Sequence, residues 1–309
     1  MRFEFMAAAS AAFLLTACGG EEAATPAPEP QAASAEEAPT DAPAAAPDAG
    51  EVLDAVLDHP RRGEGADRDA FRNPKETLLF FGFEPDMTVV EIWPGGGWYT
   101  RVLAPALKEG GGTYVAAAFD PSVESAFIER SLTAFDENFV QKPEEYGDIV
   151  VTALSANTEA VAPAGSADMV LSFRNVHNWM GGEFADKAFA DFYAALKPGG
   201  VLGVVEHRQK DGEQDPRART GYVREDAVIA FAEAAGFVLE ARSEVNANPK
   251  DTADHPFGVW TLPPVLRGPR EGEEAPEGYD REKYLEIGES DRMTLKFRKP
   301  IDADAALLE

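Results

Sequence analysis

From residue 87 to residue 245 the chain alternates short branched apolar runs with amphipathic stretches, and nothing else in it constrains the fold as strongly. The runs "MTVVEIW", "TYVAAAF", "DIVVTAL", "ADMVLSF", "VLGVVEH" and "FVLEARSEV" have the length of strands and are bounded by turn residues. Between most of them lie "WYTRVLAPAL", "SVESAFIERSLTAFDENF", "EFADKAFADFYAAL" and "REDAVIAFAEAAG", with apolar residues at helical spacing. Apolar strands linked through helices predict a parallel sheet covered on both faces, because each crossover lays a helix on the sheet. A last run, "RMTLKFRKP", follows the sixth with no clear helix between them, so it is free to pair antiparallel. The expected fold is therefore a doubly wound α/β sheet of seven strands, the last antiparallel, within a domain covering residues 51–309. "EVLDAVLDH" and "PKETLLFFGF" add two helices ahead of the first strand. Between strands six and seven, "PFGVWTLPP" is too apolar to remain in solvent and is expected to fold over the carboxyl edge of the sheet.

The N-terminus reads differently. In "MRFEFMAAASAAFLLTACGG" the apolar stretch of residues 5–17, broken only by Ser10 and Thr16, is too short to span a bilayer and has the length of a signal-peptide core. "LTAC" resembles the bacterial lipobox. The resemblance implies a signal peptide over residues 1–17, cleavage before Cys18, acylation of Cys18 and attachment to a membrane through that lipid. The alternatives are a short uncleaved anchor, or a true start at Met6. Gly19, rather than Asp, follows the cysteine; by similarity to enterobacterial sorting this implies an extracytoplasmic protein on the periplasmic face of the outer membrane. Residues 18–50 are rich in Ala, Pro and Glu and cannot bury enough apolar surface to fold, so they are read as a disordered, semi-rigid tether. Cys18 is the single cysteine, which excludes an intrachain disulfide and a cysteine metal cluster. A formal net charge of -27, without clustered Lys and Arg, argues against a nucleic-acid partner.

Glycines directly behind the first strand, in "VVEIWPGGGWYT", place bare main chain where a nucleotide approaches an open sheet. Two patterns compete for them. The dinucleotide fingerprint takes Gly95 and Gly97 but meets Thr100 where its third glycine belongs. The pattern acid-x-Gly-x-Gly-x-Gly takes Glu91, Gly95 and Gly97, with Trp93 at the first glycine. On this second pattern the chain resembles the class I S-adenosylmethionine-dependent methyltransferases, which have a Rossmann-like sheet. Asp120 at the end of the second strand, "ADMVLSFRNVH" with Asp168 at its start, "LKPGGVLGVVEH" and "AAGFVLEAR" extend the likeness over about residues 71–300. More narrowly, "EIWPGGGWYT", "NVHNWM", "SEVNANPKD", "WTLPP" and "IGESDRMTLKF" look like a group of bacterial proteins known only as predicted methyltransferases. The resemblance implies S-adenosylmethionine as cofactor and a small or medium-sized methyl acceptor. It places the methionine end of the cofactor on Gly95, Gly96 and Gly97, its amino group by Glu91 and its ribose hydroxyls on Asp120. Arg174 and Asn175 are candidates to hold its carboxylate and main chain, a structural role being the alternative for each. Two departures stand out. Trp93 either crowds the loop or walls an altered pocket, and the third strand ends "TALSAN" without an acid, leaving Ser155 or Asn157 to take its place.

His177, just beyond the fourth strand, reads as the general base for a protonated acceptor, or as a loop histidine bonded to backbone. Asp67, Arg68, Arg72, Asn178, His207, Arg208, Asn248 and Asp251 are candidates for the substrate rim; solvated charge, local pairing or turn chemistry is the alternative for each. "EGEEAPEGYDRE" reads as an acidic exposed loop. No His-Glu-x-x-His or comparable spacing is present, so no metal is expected, and the absence of Gly-x-Ser-x-Gly argues against an α/β hydrolase. The competing function is a non-catalytic, extracytoplasmic ligand-binding protein on a degenerate methyltransferase fold.

Overall fold

The computed structural model describes residues 47–301; Cys18, the signal peptide and all but the end of the tether lie outside the described residues. Seven strands form one sheet: β1 (Thr88–Ile92), β2 (Thr113–Phe119), β3 (Val150–Leu154), β4 (Ala167–Phe173), β5 (Leu196–His207), β6 (Val238–Ser243) and β7 (Arg292–Arg298). Their order is β3-β2-β1-β4-β5-β7-β6. Pairings among β1 to β5 are parallel, whereas β7 runs antiparallel to both β5 and β6. The expected doubly wound sheet is therefore present. Its direction of winding reverses between β1 and β4, and it is at such a switch point that the carboxyl ends of the strands leave a crevice.

One apolar core gathers the inward face of helices Ala185–Ala195 and Glu225–Ala234 against the sheet, through Phe189, Phe192, Val228 and Ala232. The other gathers helices Ala49–Leu57, Pro74–Phe81 and Thr100–Gly110 through Leu53, Leu78, Phe81, Leu103 and Leu107. The first of these helices begins at Ala49, capped by the Asp48 carboxylate on Glu51 N at 2.9 Å, and buries Ala49, Val52 and Leu53. The packed unit thus starts slightly ahead of residue 51. Pro74 opens its helix at a position where a missing N–H costs nothing, and Gly82 closes it with φ 82°.

Three segments differ from the sequence reading. The charged stretch "HPRRGEGADRDAFRNP", which lies between the two N-terminal helices and carries no helical or strand pattern in the sequence, is a 3-10 turn (Pro60–Arg68) and a short helix (Asp69–Arg72), with Arg62 and Arg72 buried. "NVHNWM" forms the helix Val176–Gly181, and "REKYLEI" forms Arg281–Ile287 inside the insertion. The insertion also contributes the 3-10 turn Gly258–Thr261, and residues 259–265 reach the carboxyl edge of the sheet as expected.

Candidate active site

A cleft of about 740 Å³ opens at this crevice, lined by Glu91 and Gly95 from the β1 end and by Arg174 and His177 beyond β4. The 3-10 turn supplies Arg62 and Arg68, and residues 259–265 of the insertion form its apolar lip. Gly95, with φ 58°, and Gly96 present bare backbone to it; a Cβ at Gly96 would have no heavy atom within 4 Å. Gly97 does not line the cleft. A Cβ there would stand 2.2 Å from the Phe139 ring, so this glycine is required for helix packing.

Glu91 interrupts an otherwise apolar strand and is 3% exposed. Thr100 and Tyr114 donate to its carboxylate from below. Burial pushes the Glu91 carboxyl up to about 7, against the lowering effect of those hydrogen bonds. An acid raised in this way is most favourable below its unfolded value near 4.5, and its contribution is lost as the pH rises through 7. Glu91→Gln is therefore expected to gain stability on the wild type between pH 5 and pH 8, by up to about 3 kcal/mol. Urea denaturation at the two pH values measures this, and a pH-independent difference refutes it.

Trp93 and Arg174 both sit in the left-handed region, with φ 46° and 62°, where bulky residues are strained. Asn175 ties these two strand ends together, donating to Ile92 O at 2.9 Å and Trp93 O at 3.4 Å. The Trp93 indole turns along the strand ends. Its ring stands 4.9 Å from that of Phe119, and Nε1 donates to Leu154 O at 3.0 Å. It therefore lies across the ends of β2 and β3. Asp120 is buried there, outside the cleft lining: Ser122 N and Ser155 Oγ donate to its two oxygens at 2.8 and 2.7 Å.

His177 rests on Glu206, a residue that the sequence reading missed because it is embedded in the apolar run "VLGVVEH". Glu206 is fully buried and accepts from Val176 N, His177 N, His207 N and His177 Nδ1, the last at 3.1 Å. With Nδ1–H donated to a carboxylate, the Nε2 of His177 carries the lone pair, as an oriented base requires. His207 follows, its Nδ1 2.6 Å from Ser290 Oγ. Burial first, then His177, Arg174, Arg292 and Arg72, hold the His207 imidazole well below its ordinary value. His177, Glu206 and His207 are the one group among the described residues whose ligand atoms could converge on a cation. Glu206 already accepts four N–H groups, and arginines surround the pair, so the donor set suits an oriented histidine better than a metal.

Of the remaining candidates, Arg68, Arg72 and His207 line the cleft, whereas Asp67 and Asn178 are exposed outside it. Arg208 is bound instead by Glu244 and Asp291. Asn248 donates to Ile287 O and Glu289 O, and Asp251 accepts from Tyr222, His255 and Asp291 N; both hold the insertion together.

No family model matches the chain, and neither does any curated protein. Solved structures do. The [4+2]-cyclase SpnF is 14% identical with a TM-score of 0.52, over 83% of this chain and 98% of its own. An S-adenosylmethionine-dependent methyltransferase from Aquifex aeolicus is 18% identical with a TM-score of 0.43, over 64% and 93%. Another from Mesorhizobium loti is 14% identical with a TM-score of 0.44, over 72% and 96%. At these identities the likeness is one of fold.

Proposed function

We propose that this chain is an S-adenosylmethionine-dependent methyltransferase acting on a small or medium-sized acceptor. The observation that carries this reading is the bare backbone of Gly95 and Gly96, open to the cleft at the switch point of the sheet. The fold shared with solved methyltransferases supports it. When bound, the cofactor supplies a methyl group for in-line displacement, a task that is mainly one of positioning. Gly95 and Gly96 let its methionine end approach, and Arg174 lines the same cleft for its carboxylate, while the Asn175 amide holds the strand ends that frame the loop. His177 accepts the proton of a protonated acceptor at Nε2, and Glu206 fixes the imidazole for that role.

The fit to this cofactor divides at Trp93. The methionine side is open, but the indole covers the strand ends where the resemblance puts ribose and adenine, and both oxygens of Asp120 are engaged. That observation favours the second reading, a binding protein that has kept the fold without the chemistry; the neighbour named as a cyclase is a reminder that one fold carries different activities. Calorimetry separates the two readings. Micromolar binding of S-adenosylmethionine to the full chain, abolished by Gly96→Arg, is expected of the methyltransferase. No binding at millimolar cofactor refutes it.

Location belongs to the same proposal: Cys18 becomes the lipidated first residue and the domain works outside the cytoplasm, a reading supported by the lipobox resemblance. Membrane fractionation checks it. Cys18→Ser is expected to release the protein or leave its precursor uncleaved, and a full-length wild-type chain in the cytoplasm overturns it.

A further inference from the structure

The cleft concentrates positive charge in a protein whose formal net charge is -27. Arg61, Arg62, Arg68, Arg72 and Arg174 line it, and Arg292 lies behind them. The carboxylates that pair with this group are Asp69, on Arg62 at 2.6 Å, and Glu289, on Arg68 at 2.6 Å and on Arg72 and Arg292 at 3.2 Å. Several of their N–H donors are left over. Arg62 and Arg72 are 3% and 1% exposed, yet among the described residues Nε and Nη1 of Arg62, and both terminal nitrogens of Arg72, have no partner; Nη2 of Arg68 has none either. Buried donors of this kind are normally satisfied, and charged ones most of all.

These groups are held rigidly. The guanidinium carbons of Arg62 and Arg72 stand 5.0 and 4.5 Å from the centroid of the Trp98 ring, and Trp98 Nε1 donates to Gly65 O at 2.8 Å. Burial and the neighbouring arginines pull the Arg72 guanidinium below its ordinary value, while Glu289 opposes them. Like charges crowded on a rigid, desolvated wall are the arrangement that an oxyanion relieves. Another part of the lining has the opposite character: Val259, Trp260, Leu262, Pro263 and Val265 make it apolar.

We propose that the cleft binds an amphiphilic organic anion with at least two negative oxyanion charges, carboxylate or phosphate. Its head lies on Arg62, Arg68, Arg72 and Arg174, and its apolar body lies against the lip at residues 259–265. This goes beyond the methyltransferase reading, because one cofactor carboxylate leaves most of these donors unanswered. It holds whether the anion is methylated or only retained.

Titrating the full chain by tryptophan fluorescence and thermal shift, without S-adenosylmethionine, tests it. The probes are phenyl phosphate, phthalate, inorganic phosphate and uncharged benzyl alcohol. Phenyl phosphate or phthalate is expected to bind about 10- to 100-fold tighter than benzyl alcohol, the range expected of charge-assisted hydrogen bonds. The tighter of the two identifies the head group. Inorganic phosphate is expected to bind more weakly than phenyl phosphate, since it leaves the lip unused. Arg72→Met is expected to lose roughly 10-fold or more in affinity for the better anion. Arg68→Gln and Arg174→Met test the same site without deleting the most buried side chain, with circular dichroism confirming their fold. Benzyl alcohol binding as tightly as both organic anions, or folded arginine variants with unchanged affinity, overturns the proposal. A failure of S-adenosylmethionine to bind leaves it standing.

Discussion

Glu289→Ala is expected to destabilise the protein by about 3–5 kcal/mol, the range seen when one partner of a buried ion pair is removed. Glu289 is 4% exposed and is the common partner of Arg68, Arg72 and Arg292. The three arginines pull its carboxyl below the ordinary range, although burial alone would raise it. Removing that charge leaves three guanidinium groups facing one another with little water to screen them. Glu289→Gln keeps the shape and separates lost charge from lost packing. Because an anion in the cleft replaces part of the missing charge, phenyl phosphate is expected to stabilise Glu289→Ala more than the wild type. Urea denaturation at constant ionic strength, with and without the anion, measures both effects. A loss below about 1 kcal/mol would mean that the arginines are satisfied in some other way.

Trp93→Gly is expected to tighten the binding of S-adenosylmethionine by about 10- to 100-fold. The indole is packed on Phe119, Trp179 and Phe184 with its N–H bonded to Leu154 O. For a nucleoside to lie across the ends of β2 and β3 the ring must leave, and giving up burial of a side chain costs about 1.5–3 kcal/mol. That cost appears as a reduced fraction of binding-competent protein, which the substitution removes. Glycine also suits the φ of 46° at this position, offsetting some of the lost packing. Calorimetry on the two proteins decides it. Equal affinities would place the cofactor's nucleoside away from the indole, and tighter binding by the wild type would make the ring part of the nucleoside site.

The sheet was legible because its signals are local. Strand β4 has the boundaries given by its apolar run, and so has β2, since turn residues close both. The antiparallel β7 followed from the lack of a clear helix between two strand-like runs. The cleft was only partly legible. Gly95 and His177 stand in recognisable motifs, but nothing near Arg62 or Arg72 in sequence marks them as buried; their surroundings come from Trp98 and the distant Glu289. Glu206 was hidden within a strand, where an acid beside a histidine reads as the solvated end of the run. Asn248 and Asp251 looked like rim residues because their partners at residues 287–291 are remote in sequence.

The antiparallel pairing of β6 with β7 has a consequence for how this protein can change. Ser243 and Thr294 are partners across that ladder, so the excursion over residues 244–291 leaves and rejoins the sheet at one place. No crossover helix depends on it. Its length can therefore vary at little entropic cost, since doubling a flexible loop adds only about 0.6 kcal/mol. The excursion carries both the apolar lip and Glu289, whereas the glycine loop and the His177–Glu206 pair belong to the parallel half of the sheet. Exchanging this cassette between homologues would replace the lip and Glu289 together while leaving the glycine loop and the His177–Glu206 pair in place.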